Sequence, residues 1–374
     1  MKENFQPFVL EREMGHWEHR VDYNLSESGV HPMTSADLLG GDSTLMEELM
    51  GVELNYPHTN GEELLRARIA ATYNGASADD VIATCGAAQA NLTTVLSLLD
   101  PGDEIVVMLP NYMQIWGIAH NYGLRTRTFS LEEDLNWGFD VDKFNDTVTS
   151  KTRLIAICNP NNPTGHIMTA EERNAVVAAA ENSGAWILSD EVYAGAEHNT
   201  DEVTPSMWGT YERVAAIGSM SKAYALPGLR LGWVVSNPEM AEALWARQDY
   251  ITICPTMLAN RLGAHALKPD VREHILARTR AHVRRGFSNL RAWVDDHADT
   301  LSLVPPEAAA IGFVHYRQQV NSTEVVQRLI RDYSTYVVPG DHFGMDSYLR
   351  ISYGLSDDYV NEGLRRVYAA LSTS

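Results

Sequence analysis

The sequence predicts an α/β fold: a large domain with a mostly parallel central sheet, and a smaller α+β domain built from both chain ends. Three observations predict it. From Glu62 to Tyr250 short apolar runs alternate with amphipathic stretches, in the order strand, loop, helix. Ala87, Tyr112, Asn162, Asp190, Tyr193 and Lys222 all fall at the carboxyl ends of those runs, the edge where open α/β sheets bind ligands. After Tyr250 the texture changes to long helical stretches and short strands. The expected boundaries are 40–255 for the large domain, and 1–39 with 256–374 for the small one.

Residues 1–40 read as an irregular arm, and Tyr23 to Pro32 as a polar, turn-rich loop able to close over a site. Tyr56–Gly61 is a turn, and Glu62–Tyr73 a helix with Leu64, Leu65, Ala67, Ile69 and Ala70 on its apolar side. Val81–Thr84 is a short strand. Gly86-Ala87-Ala88 then opens a helix, a small-residue turn whose free N–H groups suit a phosphate. Further strands are expected at Asp103–Leu109, Arg125–Leu131, Arg153–Cys158 and Trp186–Ser189. Asn159-Pro-Asn-Asn-Pro-Thr-Gly165 fixes a tight loop after one of them. Thr169 and Glu172 form a capping box for a helix through Asn182. Asp190, at a strand end, requires a cationic partner if buried.

The stretch Ser219-Met-Ser-Lys222 joins the apolar runs Val214–Ile217 and Leu229–Val235. A lysine between two core strands is costly unless paired or lowered in pKa, and its amine is then a nucleophile towards aldehydes. Ser219, Ser221 and Arg230 supply hydroxyls and a fixed positive charge nearby. Beyond Pro238–Tyr250, a helix, come a helical region from Thr256 to Asp296 and strands at Leu301–Val304 and Ile311–Tyr316. A helix Thr323–Tyr333, a strand Leu349–Tyr353 and a last helix from Asp357 complete the chain. Arg350 alternates with apolar neighbours, as a solvent-facing residue or as a fork for a carboxylate.

The chain has 374 residues, 45% hydrophobic and 21% charged, enough for two domains or one large one with a full core. Its net charge of −20 argues against nucleic acid or an anionic membrane as partner. Cys85, Cys158 and Cys254 are far apart and in apolar contexts, so reduced core thiols are expected. The first residues carry no basic-then-apolar pattern, and no run approaches the ~18 apolar residues of a membrane helix. The expectation is a cytoplasmic protein with no metal site.

With these residues assembled, the chain resembles the fold type I pyridoxal 5'-phosphate (PLP) enzymes of the class I/II aminotransferase family, from Tyr56 to the last helix. The motifs are Asn159–Gly165, Asp190-x-x-Tyr193, Ser219-x-Ser-Lys222 with Arg230, and Arg350. The resemblance implies that Lys222 forms the Schiff base with PLP and moves the Cα proton. It implies that Asp190 pairs with the pyridinium nitrogen, that Asn162 and Tyr193 bond the phenolic oxygen, and that Tyr112 stacks on the ring. Gly86, Ala87, Ala88, Ser219 and Arg230 would hold the phosphate, although the turn carries no hydroxyl or lysine. Tyr56 would reach the phosphate of the other subunit of a homodimer. Arg350 and Asn162 would bind the substrate carboxylate, with Glu27 and Gly29 from the N-terminal loop against the substrate. That loop, Ser26-Glu-Ser-Gly-Val-His31, with Ser221–Trp233 and Arg247-x-Asp249-Tyr250, is similar to the capreomycidine-synthase-like cyclases. This implies a hydroxyarginine substrate that loses its β-hydroxyl and closes a guanidine ring. A transaminase on a neutral or aromatic amino acid and a non-catalytic PLP-fold protein are the alternatives.

Overall fold

In the computed structural model, which describes residues 5–372, seven strands form the main sheet. They are β1 (Val81–Thr84), β2 (Glu104–Leu109), β3 (Arg125–Ser130), β4 (Thr152–Cys158), β5 (Trp186–Asp190), β6 (Val214–Ser219) and β7 (Gly232–Val235). Their order is β1-β7-β6-β5-β4-β2-β3, and only β7 runs antiparallel to its neighbours. The apolar runs are continuous because both faces are covered. Ile155, Ile157, Ile187 and Val214 enter the core on one side, while Leu154, Ala156, Leu188 and Ala215 enter the other. The register sets Cys158 beside Asp190, and Asp190 beside Ile217. The carboxyl ends of the central strands therefore lie along one edge.

A second sheet has four antiparallel strands: β8 (Leu301–Ser302), β9 (Ile311–Tyr316), β10 (Val338–Pro339) and β11 (Tyr348–Ser352), in the order β10-β11-β9-β8. Near the other chain end, Tyr23–Asn24 pairs in parallel with Thr335–Tyr336, tying the N-terminal segment to this part of the molecule. Among the described residues no helix is long and apolar enough to cross a membrane.

Several expectations are corrected. Residues 1–40 are not irregular throughout. Helix α1 (Val9–Trp17) buries Leu10 and Met14, one turn apart. Ser35–Leu39 is a short helix, started by a Thr34/Asp37 capping box and stopped by left-handed Gly40. Ser43–Met50 is a further helix, capped by Asp42. The first part of the Leu229–Val235 run is no strand: Pro227–Leu229 is a single 3-10 turn and Arg230 is left-handed. The region from Thr256 to Asp296 is two helices, Met257–Ala266 and Pro269–Asp296. Pro269 lacks the N–H that continuing the first would require, and suits the start of the second. Of the cysteines only Cys158 is buried. Cys85 and Cys254 are half-buried, with the Cys85 thiol 3.5 Å from the Cys254 carbonyl.

The loop after β4 is pinned from two sides. Asn159 Oδ1 accepts from Met168 N–H, and Asn161 Oδ1 accepts from Thr164 N–H and hydroxyl. Glu307 and Ala308 N–H both donate to the Gly165 carbonyl. Gly165 is left-handed and presses on Pro306, where a Cβ would come within 2.4 Å. His166 joins the two sides. Its Nε2 lies 3.2 Å from Glu172, and its Nδ1 the same distance from Glu307, in poor alignment for a hydrogen bond.

Burial alone would lower the His166 imidazole, but the two carboxylates push it up to about 9. Burial raises the Glu172 carboxyl, yet His166 and the Thr169 N–H bring it down to about 2. The His166 contribution to stability is therefore whole below its unfolded value of 6.5 and fades as pH rises through about 9. The Glu172 contribution is present above 4.5 and fades as pH falls through about 2. His166→Gln is expected to cost about 2 kcal/mol near pH 6, with Glu307 half-exposed and discounted. It should also remove the stability loss between about pH 7 and 10. Urea unfolding across pH reads both, and a variant as pH-sensitive as the parent would refute the clamp.

Candidate active site

A cavity of about 500 Å³ opens at the carboxyl edge of the main sheet. It is lined by Ala87, Ala88, Tyr112, Asn162, Asp190, Tyr193, Ser219, Lys222, Arg230, Arg350 and Glu27, all expected from the sequence. Two expected residues act from behind the lining. Gly86 is left-handed, and a Cβ there would come within 2.6 Å of the Arg230 guanidinium. Gly29 lies against Lys222, where a Cβ would sit 3.8 Å from its Cδ. Tyr56 is outside the cavity, 77% exposed on the surface.

The floor is backbone. Helix α2 (Ala87–Leu98) starts after Gly86, and Ala87 and Ala88 of its first turn, where N–H groups lack helical partners, line the cavity. Gly232 of β7 approaches so closely that a Cβ would lie 2.6 Å from Ala87 N. Arg230, Ser219 and Ser221 stand beside it: Ser219 Oγ donates to Ser221 Oγ at 3.0 Å, and Arg230 Nη1 donates to Ser221 Oγ at 3.3 Å. Hydroxyls, a guanidinium and a helix N-terminus in one cradle suit a phosphate dianion.

Three charged groups meet above this floor, and two of them lack an ordinary countercharge. Asp190 is 7% exposed. No cation lies within ion-pair distance of it among the described residues, contrary to expectation. Instead Asn91 Nδ2 donates to its Oδ2 at 3.0 Å. Burial raises the Asp190 carboxyl, and Asn91, the Val192 N–H and Lys222 oppose that rise. Arg350 is 2% exposed, so the solvent-facing reading falls. Its Nη1 donates to Asn162 Oδ1 at 3.0 Å and its Nη2 to the Ser26 carbonyl, while its Nε is buried without a partner. Lys222 Nζ is 3.9 Å from Glu27 Oε2. Burial lowers its pKa, Glu27 opposes and Arg350 adds to the drop. A buried carboxylate without a cation, an arginine without an anion and a depressed amine are expensive singly. A ligand with a cationic ring nitrogen, an aldehyde and a phosphate would satisfy them, so the residues fit PLP.

The sequence missed much of the rest of the wall. Helix α1 supplies Leu10, Glu11 and Met14, and Glu18 follows it. Tyr112 meets the ring of Phe8 edge-on at 4.9 Å and donates its hydroxyl to Glu11 at 2.5 Å. Burial and Glu11 push the Tyr112 phenol up. Tyr193 donates to Ser28 Oγ at 2.9 Å, so the N-terminal loop is bonded to the site. Asn91 and Gln114 complete the lining near Asp190. Asn91 lies one helical turn after Ala87 and on the same face.

The match to known proteins agrees with this geometry. The family model for aminotransferase class I and II matches residues 42–367. Capreomycidine synthase of Streptomyces vinaceus is 27% identical over 94% of this chain and 90% of its own length. An aspartate aminotransferase of Thermotoga maritima is 26% identical over 78% of this chain and 75% of its own. A PLP-dependent aminotransferase from Streptococcus suis superposes with a TM-score of 0.92 at 28% identity, covering 99% of this chain and 98% of that one. The PLP-dependent cyclase OrfR superposes with a TM-score of 0.87 at 25% identity, covering 97% and 96%. The chain belongs to the class I and II aminotransferase family of fold type I, PLP-dependent enzymes.

Proposed function

We propose that this enzyme is a cyclase that removes the β-hydroxyl of a hydroxylated arginine and closes the guanidine onto Cβ. The observation that carries the reading is the acidic wall: Glu11, Glu18 and Glu27 line the same cavity as Arg350. Arg350 is suited to an α-carboxylate. Three carboxylates about a neighbouring space suit a cationic side chain, and a guanidinium presents donors to more than one of them. The similarity to capreomycidine synthase and to the cyclase OrfR supports this choice within the family.

The proposed roles are as follows. Gly86, Ala87, Ala88, Ser219 and Arg230 hold the cofactor phosphate, and Asp190 accepts from its ring nitrogen. Asn162, Tyr193 and Tyr112 hold the ring. When bound, PLP supplies an aldehyde for the amino group and a ring that withdraws electrons from Cα. Arg350 fixes the substrate carboxylate, and the Lys222 amine takes the Cα proton. Once protonated, Lys222 donates to the departing hydroxyl oxygen, so water leaves. A guanidine nitrogen then bonds to Cβ and gives up its proton to the now neutral Lys222, which returns it to Cα. One C–O bond breaks and one C–N bond forms; no oxidant and no amino acceptor enters. Holding both ends of the substrate makes this closure intramolecular, where effective molarities reach ~10⁵ M or more. Helix α1 and the Ser26–His31 loop lie over the cavity and restrict water.

The active unit in this proposal is a homodimer. Met50, Leu54, Tyr56, Tyr250 and Ile253 are exposed, and Gln248 ties the two segments together through the Thr59 and Ile253 carbonyls. The patch adjoins the phosphate turn, because Thr252 donates to Gln89, which accepts from Cys85 N–H. The concentration of exposed apolar side chains here supports an interface between two copies, across which Tyr56 would serve the partner's phosphate site.

Three outcomes are expected. Incubation with 3-hydroxyarginine should give a cyclic product one water lighter than substrate, with no added 2-oxo acid. Strict need for a 2-oxo acid, with a 2-oxo product by mass spectrometry, would establish the transaminase reading instead. Glu27→Gln should raise KM for a guanidinium substrate about tenfold with a smaller change in kcat; unchanged KM would remove Glu27 from side-chain recognition. Met50→Asp with Tyr250→Asp should give monomers in sedimentation, and Tyr56→Ala should weaken PLP binding. Full cofactor affinity in a monomeric preparation would contradict the shared site.

A further inference from the structure

Asp190 is satisfied by an amide whose orientation is fixed three residues deep. Asn91 is 1% exposed, and its Nδ2 donates both to Asp190 Oδ2 at 3.0 Å and to Gln114 Oε1 at 3.1 Å. Gln114 Nε2 donates to the Ala88 carbonyl at 2.8 Å. A carbonyl can only accept, so the Gln114 nitrogen must face Ala88 and its oxygen must face Asn91. Asn91 must then present its nitrogen to both neighbours. Flipped, its oxygen would face a carboxylate and a carbonyl at hydrogen-bond distance, with no donor between them. The chain tolerates a cost for this orientation, since Asn91 Oδ1 is buried with no partner.

We propose that Asn91, held by Gln114, is a positioning residue that keeps the Asp190 carboxylate ionised and aimed at the cofactor's ring nitrogen. The amide supplies two donors to two acceptors and has no proton to lose, so it favours only the anionic form of Asp190. Other groups around Asp190 do not replace it. Cys158, across from it on β4, is a thiol pushed up by burial and by Asp190 itself. Glu191 is a neighbouring acid, also pushed up by burial, and Tyr193 is a buried phenol pushed up. Among the described residues Lys222 is the one cation that acts on Asp190, and its own pKa is lowered by burial. The Val192 N–H, at 3.3 Å, bonds the other oxygen, Oδ1. The two segments that build the cradle are thereby coupled: α2, which starts at the phosphate turn, also sets the charge of the acid at the end of β5. This holds whichever reaction follows, so its failure leaves the cyclase proposal standing.

The test uses the holoenzyme with Asn91→Leu, Gln114→Leu and the double variant. It measures the PLP dissociation constant and the pH midpoint at which the bound cofactor's absorbance changes. Asn91→Leu is expected to weaken PLP binding tenfold or more and to move the acid-side midpoint up by about one to two units. Gln114→Leu should shift both in the same direction by less. The double variant should match Asn91→Leu, because Gln114 acts through Asn91. A wild-type dissociation constant and midpoint in Asn91→Leu would overturn the proposal, as would additive effects in the double variant. If Asn91→Leu does not fold, Gln114→Leu decides alone, and an unmoved midpoint there overturns it.

Discussion

The rest of the structure depends on one constraint: charges buried at the carboxyl edge of the main sheet must be held apart until a ligand joins them. Asp190, Lys222 and Arg350 line one cavity, yet none forms a close ion pair with another. Direct collapse of Lys222 onto Asp190 would satisfy both and disable the site. The fold prevents it by placing them at the ends of different strands and occupying each with a neutral or weak partner. Asn91 occupies Asp190, Asn162 and the Ser26 carbonyl occupy Arg350, and Glu27 stands 3.9 Å from Lys222. Neutral amides and carbonyls stabilise a buried charge without cancelling it.

Holding charges apart requires a stiff frame, and that is supplied by backbone contacts more than by side chains. Gly232 brings β7 against the start of α2, and Gly218 yields its space to Trp233, whose ring would lie 2.3 Å from a Cβ there. The loop carrying Asn162 is fastened to residues 307 and 308 by backbone hydrogen bonds and by the His166 charge cluster. The four-stranded sheet that carries Arg350 is thus locked to the loop carrying Asn162. The 3.0 Å bond between those two side chains follows from this.

Much of this was legible in the sequence because the sheet is buried on both faces and announces itself as apolar runs. Every main strand except the start of the Leu229 run lies where its run predicts, and Lys222, Asp190, Asn162 and Tyr193 follow from the strand ends. The misses have physical reasons. Helix α1 is nine residues long and buries only Leu10 and Met14, so little apolar surface marks it in the sequence. Its stability comes from packing on other elements, which sequence spacing does not show. Asn91 was overlooked because an amide in a helix carries no signal of its own; its role appears only once Asp190, 99 positions away, is set beside it. Pro269 was visible, but a proline at the first turn of a helix and one that breaks a helix look alike until both neighbours are placed.

The division between legible and illegible parts follows the division of labour in the site. The cofactor end is built from strand termini and a helix start, which are rigid and have strong sequence signatures. The other side of the cavity, the substrate end in the proposed reading, is lined by α1 and the start of the Ser26–His31 loop, which have weak ones. Nine residues of helix are too few to be stable alone in water. Helix α1 is held by Leu10 and Met14 in the core, by Glu11 on Tyr112, and through Gln6 by paired hydrogen bonds with Asn121. Tyr112 and Glu11 both line the cavity, so what fills it bears directly on the contact that holds the helix down. A segment fastened through the site can discriminate by side-chain charge while leaving the cofactor geometry untouched.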